Sequence, residues 1–171
     1  MAVRSQGRRG KTRQQLIQEA IKNVLGHPAA VPGMRIMESA IGRSDSLYAT
    51  VISERWKDIP REDRWKIILD AYREHDDSKA RRIAVAQGLT MEEALLLGVL
   101  PFRIVTTWKQ GDPVTLDQLT RALLSEGAIK TPSGLLLGFQ SLDEAKQAYV
   151  HLQERIPGPY WAIVHEIVRP E

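Results

Sequence analysis

Two strand-suited runs flank one polar turn, and that arrangement constrains this chain more than any other feature. The runs are Met-Arg-Ile-Met-Glu-Ser at 34–39 and Leu-Tyr-Ala-Thr-Val-Ile-Ser at 47–53, with Gly42-Arg43-Ser44-Asp45-Ser46 between them. β-prone runs on either side of a Gly/Ser/Asp turn read as two strands. In the second run Leu47, Ala49 and Val51 alternate with Tyr48, Thr50 and Ile52. Both faces carry bulky side chains, so the strand is expected to be covered on both. Neighbouring segments must supply that cover.

The neighbours have the right periodicity. In 12–25, Leu16, Ile17, Ala20, Ile21, Val24 and Leu25 form one apolar stripe of helical period. Gly26 is placed to end it. His27-Pro28 through Pro32-Gly33 reads as a loop, because the residue before proline avoids the helical region. A second helix is predicted from Pro60, a favoured first helical position. Its Trp65, Ile68, Leu69 and Tyr72 are expected to face the sheet as core. The polar run Glu74-His75-Asp76-Asp77-Ser78 ends it, and Ile83 with Val85 marks a short third strand. The order is α-β-β-α-β.

A break follows. Thr90 and Glu93 form a capping-box pattern, opening a short apolar helix at 94–97 that Gly98 and Pro101 close. Residues 102–108 are β-branched and aromatic, and Gly111-Asp112-Pro113 is a turn. Thr115 and Gln118 make a second box, with Leu116, Leu119, Leu123 and Glu126 stacked above it and Gly127 at the end. Residues 128–130 and 135–139 flank Thr131-Pro132-Ser133-Gly134, a hairpin signal. Ser141 and Glu144 make a third box, followed by Leu142, Ala145, Ala148, Tyr149 and Leu152. Pro157-Gly158-Pro159 precedes a final strand at 160–168. This β-α-β-β-α-β order resembles the ferredoxin-like split βαβ arrangement. The expected class is α+β: a tail at 1–13, one domain at 14–98 and a second at 101–171. Each half is small enough to be marginal alone, so docking between them is expected.

Charge is uneven. Of 24 Lys and Arg, five (Arg4, Arg8, Arg9, Lys11 and Arg13) lie in the first 14 residues, so 19 remain against 21 Asp and Glu. Gly7 and Gly10 sit among those charges, and such a segment reads as a disordered basic arm able to hold phosphates. With no cysteine, disulfides, thiolate nucleophiles and Cys-held metals are excluded. No run reaches the ~18 apolar residues of a membrane span, and no apolar segment follows the basic start. A cytoplasmic protein without membrane contact is expected.

The residues Val51-Ile52-Ser53 before Arg55-Trp56, Arg64 in the second helix, Ile83-Ala84-Val85 and Thr90-x-x-Glu93 stand in a spacing that resembles the BolA family over 14–92. That family shares its topology with the nucleic-acid-binding KH fold of the second type. The resemblance implies an N-terminal BolA/KH-like αββαβ domain and a regulatory role. It also implies an iron–sulfur cluster shared with a monothiol glutaredoxin, held by a His after the helix arginine. Here Trp65 follows Arg64, and the loop at 40–46 has neither His nor Cys, so cluster sharing is not expected. KH modules clamp nucleic-acid backbone with Gly-x-x-Gly; this chain has none, only Gly42-Arg43-Ser44-Asp45.

No P-loop, His-x-x-x-His, Gly-x-Ser-x-Gly or Gly-x-Gly-x-x-Gly occurs, and His27, His75, His151 and His165 are far apart in sequence. No catalytic residue, metal ligand or cofactor is assigned. The expected function is a non-enzymatic regulatory or adaptor protein that binds a macromolecular partner. Trp56, Arg64 and Trp108 are the candidate partner-binding residues, the two tryptophans as exposed platforms at strand ends. The alternative is RNA or DNA binding through the arm together with Arg35, Arg43, Arg81 and Arg82. A second alternative is a small enzyme with a cleft between the halves.

Overall fold

The structure, a computed structural model, describes residues 11–27 and 33–165. Arg4, Arg8 and Arg9 of the expected disordered arm, most of the loop between the first helix and first strand, and the end of the last expected strand lie outside the described residues. The chain is mixed α+β, with two sheets and six α-helices among the described residues.

Helix α1 (Arg13–Gly26) starts at a full capping box between Thr12 and Gln15. Strands β1 (Met34–Ala40) and β2 (Leu47–Ser53) pair antiparallel over seven positions, Met34 against Ser53 through Ala40 against Leu47. A 3-10 turn (Glu54–Asp58) leads to α2 (Arg61–His75), for which Pro60 is the cap and not the first helical residue. A short helix α3 (Asp77–Ala80), capped by Asp76, precedes β3 (Ile83–Leu89), which pairs parallel with β2. The sheet order is β1-β2-β3, with α1 and α2 on one face.

The buried stripe of α2 is not the expected one. Arg64, Ile67, Ile68, Ala71 and Tyr72 face inward, while Trp65 is 51% exposed. The expectation of Trp65 as core is therefore corrected. Trp65-Ile68-Leu69-Tyr72 and Arg64-Ile67-Ile68-Ala71 are both helical stripes, rotated by one residue. The second wins because Arg64 finds acceptors inside. In α1, Ile17, Ala20, Ile21 and Val24 are buried, and Leu16 lies half outside.

Helix α4 (Met91–Leu96) carries the expected Thr90/Glu93 box. The second half is β4 (Phe102–Thr106), α5 (Leu116–Ser125), β5 (Ile129–Thr131), β6 (Gly134–Phe139), α6 (Leu142–Arg155) and β7 (Trp161–His165). Its sheet order is β5-β6-β4-β7, and all its pairings are antiparallel. The Thr115/Gln118 box is complete. At Ser141 only the side-chain cap forms, because the Glu144 carboxylate turns to the Gln140 N–H at 3.2 Å.

A third core cluster joins the halves. Ile52 and Leu89 from the sheet face opposite the helices meet Met91, Ala94, Leu100 and Ile129, with Leu136 packed against them. This explains why Ala49 through Ser53 are buried without a break: alternate side chains enter two different cores. Arg35 crosses the same contact. It donates to the Gly138 carbonyl, lies 3.6 Å from the Glu144 carboxylate and sits 5.5 Å from the Phe139 ring centre. Burial pushes its pKa down and Glu144 pulls it partly back. Both halves thus hold one charged cross-link beside an apolar one.

Gly88 on β3 marks the tightest approach. A Cβ there would stand 2.8 Å from Trp56 Cε2 and 3.0 Å from Arg64 Cβ. Neither neighbour can yield, since one is a ring locked in the core and the other an atom fixed to the α2 backbone. Gly88→Ala is expected to cost about 1–3 kcal/mol by overpacking, read as a lower urea midpoint. Gly26→Ala, whose methyl would meet only His75 Cε1 at 3.7 Å, is expected to be neutral or stabilising.

Candidate partner-binding surface

The best-defined polar construction is built around Arg64. Its Nε donates to the Ile59 carbonyl at 2.8 Å, Nη1 to the Gly88 carbonyl at 3.0 Å, and Nη2 to the Trp56 carbonyl at 3.0 Å. Nη1 also meets Glu93 Oε2 at 2.6 Å. One guanidinium therefore ties the 3-10 turn, α2, β3 and α4 together. Trp56 is fully buried, and its Nε1–H donates to the Val51 carbonyl at 2.9 Å. The expectation of Trp56 as an exposed platform is corrected, and Arg64 is an interior residue, not a surface contact.

Glu93 has three tasks. Its Oε2 accepts the Thr90 N–H at 2.9 Å to complete the box, the same oxygen holds Arg64, and Oε1 takes Arg61 Nε and Nη2 at 3.1 Å each. Burial pushes this carboxyl up, but the Thr90 N–H and the two arginines outweigh it and hold it below the usual carboxylate range. Glu54 Oε1 accepts the Met91 N–H at 3.0 Å, a second tie to the start of α4.

This frame borders a cleft of about 230 Å³ lined by Glu54, Lys57, Glu92, Glu93, Leu96 and, from the other half, Pro132. Ser133 Oγ approaches Glu92 at 3.4 Å across the same junction. Leu96 is 73% exposed and Leu97 more than half exposed at the end of α4. On α2, Trp65 follows Arg61 by one turn and is exposed as well. Large apolar side chains thus stand on segments fixed by the Arg64–Glu93 pair, with Lys57, Arg61 and Glu92 around them. The sequence signals were Thr90-x-x-Glu93 and the Leu95-Leu96-Leu97 run; the pairing of Glu93 with Arg64 had none.

The remaining expected residues are dispersed. Trp108 is partly exposed at the end of β4, with Nε1–H on the Val114 carbonyl at 2.8 Å. Lys11 pairs with Glu19 at 2.7 Å and Arg13 with Asp58 at 2.6 Å. Arg35 is committed to the contact between halves, which corrects its place among nucleic-acid-binding residues. Arg81 pairs with Asp77 at 2.6 Å. Arg82 donates to the Asp45 carbonyl at 3.0 Å, which brings it to the turn bearing Arg43. Arg43 is exposed there and has no ion pair among the described residues. Among the described residues no three His, Asp or Glu side chains converge as a metal site would require.

A second polar cluster, partly exposed, lies at the end of β1. Tyr72 Oη donates to Glu38 Oε1 at 2.6 Å, and Lys79 Nζ meets Glu38 Oε2 at 2.7 Å. Burial raises the Tyr72 pKa well above the usual phenol value, and the Glu38 carboxylate adds to that. This cluster fastens β1 to the end of α2 and offers no free group for chemistry.

Removing Arg64 leaves three carbonyls and a carboxylate without their shared donor. Arg64→Ala is expected to destabilise by about 3–5 kcal/mol, whereas Arg61→Ala, at an exposed pair, loses no more than about 1 kcal/mol. Urea unfolding of both variants checks this. The Glu93 contribution is present in full above about pH 4.3, where the unfolded carboxyl is also ionised. Below that the unfolded chain takes up the proton first, and stability falls until the folded carboxyl protonates too. Glu93→Gln is expected to flatten this acid limb.

No family model, curated protein or solved structure matches this chain, so its function rests on its own residues.

Proposed function

We propose that this chain is a regulatory or adaptor protein that binds a protein partner through the junction surface carrying Leu96 and Leu97. The observation behind it is the exposure of Leu96 on a helix pinned at its start by Glu54, Thr90 and the Arg64–Glu93 pair. Burying such a side chain is worth about 1.5–3 kcal/mol, and a fixed frame loses little entropy on binding. The neighbouring cleft, about 230 Å³, lies below the roughly 300–1,000 Å³ usual for small-molecule sites, which at this junction favours a macromolecule over a small substrate. The α-β-β-α-β order of the first half supports a BolA/KH-like domain, and the β5-β6-β4-β7 order of the second supports a ferredoxin-like one. No helix among the described residues is long and apolar enough to cross a membrane; a cytoplasmic site of action and function without a cofactor belong to this proposal.

The second reading, RNA or DNA binding, is favoured by one observation. Arg43, Arg81 and Arg82 gather at one end of the first sheet, although Asp77 and Asp45 lie among them.

The test is capture from native cells with and without nuclease, followed by reconstitution with the purified captured protein. The wild type is expected to hold a nuclease-resistant protein that the Leu96→Glu/Leu97→Glu variant binds at least about tenfold more weakly, with an unchanged urea midpoint. Equal binding by the variant overturns the junction site. Loss of all captured material on nuclease treatment, with loss again in Arg43→Glu/Arg82→Glu, transfers the function to nucleic acid.

A further inference from the structure

The second half carries an apolar groove of about 440 Å³ on the side of its sheet away from the first half. Helix α5 forms one wall with its leucines and Thr120, and Thr106 of β4, Lys130 of β5 and Gly134 and Leu135 of β6 complete it. Leu116 and Leu124 are about half exposed. They are two turns apart, about 12 Å along the axis. No acidic side chain lines the groove, and Lys130 has no ion pair among the described residues.

These features select an occupant. β5 is three residues long, so a strand added at this edge finds a ladder too short to fix its register. On α5 Leu119 and Leu123 belong to the core, while Leu116, Thr120 and Leu124 recur at i, i+4 and i+8 along the groove, a ridge of the kind into which another helix packs. Lys130 is the one charged side chain of a lining otherwise made of leucines, Gly134 and the neutral Thr106 and Thr120, which favours an acidic partner, because a cationic one is repelled and a neutral one leaves Lys130 without a counter-charge at the covered rim. A second copy of this chain meeting the groove with its own α5 brings Asp117, already paired with Arg121, so it supplies no unpaired carboxylate for Lys130. We infer that this groove docks an amphipathic helix of a protein partner, with leucine-type anchors along one face and an Asp or Glu placed against Lys130. It is separate from the junction surface, so the chain has a partner site on each half and can bridge two proteins.

The test uses capped alanine-based helical peptides of roughly four turns, about 15 residues. One carries leucines at i, i+4 and i+7 flanked by glutamates. One has lysines for the glutamates, and one has serines for the leucines. Binding is followed by fluorescence anisotropy and by amide chemical-shift mapping on the full chain. The glutamate peptide is expected to bind best and to shift α5, Lys130 and Leu135. Lys130→Glu is expected to weaken it about tenfold and to favour the lysine peptide instead. Leu124→Ser, at a half-exposed site where folding is spared, is expected to weaken every leucine-bearing peptide. The inference is overturned if Lys130→Glu leaves the charge preference unchanged, or if the shifts map elsewhere. It is also overturned if sedimentation shows a dimer that Leu124→Ser abolishes, since a second copy then fills the groove, or if the serine peptide binds as well as the leucine one. The junction reading stands or falls by Leu96 and Leu97, which these variants leave intact.

Discussion

Arg64 is the side chain on which the first half turns. Its guanidinium satisfies carbonyls from the 3-10 turn and from β3, and it ends on the Glu93 carboxylate that caps α4. A buried guanidinium is tolerated only when its donors are met, and here Nε and both terminal nitrogens have partners. The Trp56 ring closes over the same spot, anchored to Val51, and Gly88 lets β3 approach both. Sheet, turn and two helices therefore share one fixed point. A variant that loosens it disturbs four elements together.

That fixed point also decides what the surface shows. Turning Arg64 inward rotates α2 so that Trp65 faces solvent, and Glu93 positions α4 so that Leu96 and Leu97 point away from the core. Exposed apolar groups on a mobile segment would gain little from binding, because ordering them would consume the benefit. On a pinned segment the benefit is retained. The contact between halves extends this rigidity. Ile52, Leu89, Leu100 and Ile129 pack across it, while Arg35 reaches the end of β6. The same contact joins the half that carries the α5 groove to the half that carries Leu96 and Leu97.

Much of the fold was legible from residues alone. The polar turn between the first two strands, the capping residues Thr90, Thr115 and Ser141, and the β5–β6 hairpin are local signals with local causes. The phase of α2 was not legible. Hydropathy counts arginine as polar and places Trp65 inside, and only the carbonyls of Ile59, Gly88 and Trp56, remote in sequence, reverse that choice. The candidate site failed to show for a related reason. Trp56 at a strand end reads as an exposed platform until Gly88 and Arg64 close over it. Lys130 reads as one more surface lysine until α5 is placed beside it.

The sequence by itself determined most of the helices and strands, because periodicity, caps and turns act over a few residues, but it carried no sign of the 3-10 turn at Glu54–Asp58 or of α3, and it placed α4 three residues late. The tertiary structure decided which face of each element is inside, how the two sheets share Ile52 and Leu89, and which charges are spent internally. Those outcomes depend on contacts between residues tens of positions apart, such as Arg64 with Glu93 and Arg35 with Glu144. A buried charge is stable only where distant groups complete its hydrogen bonds, and no local pattern records their arrival.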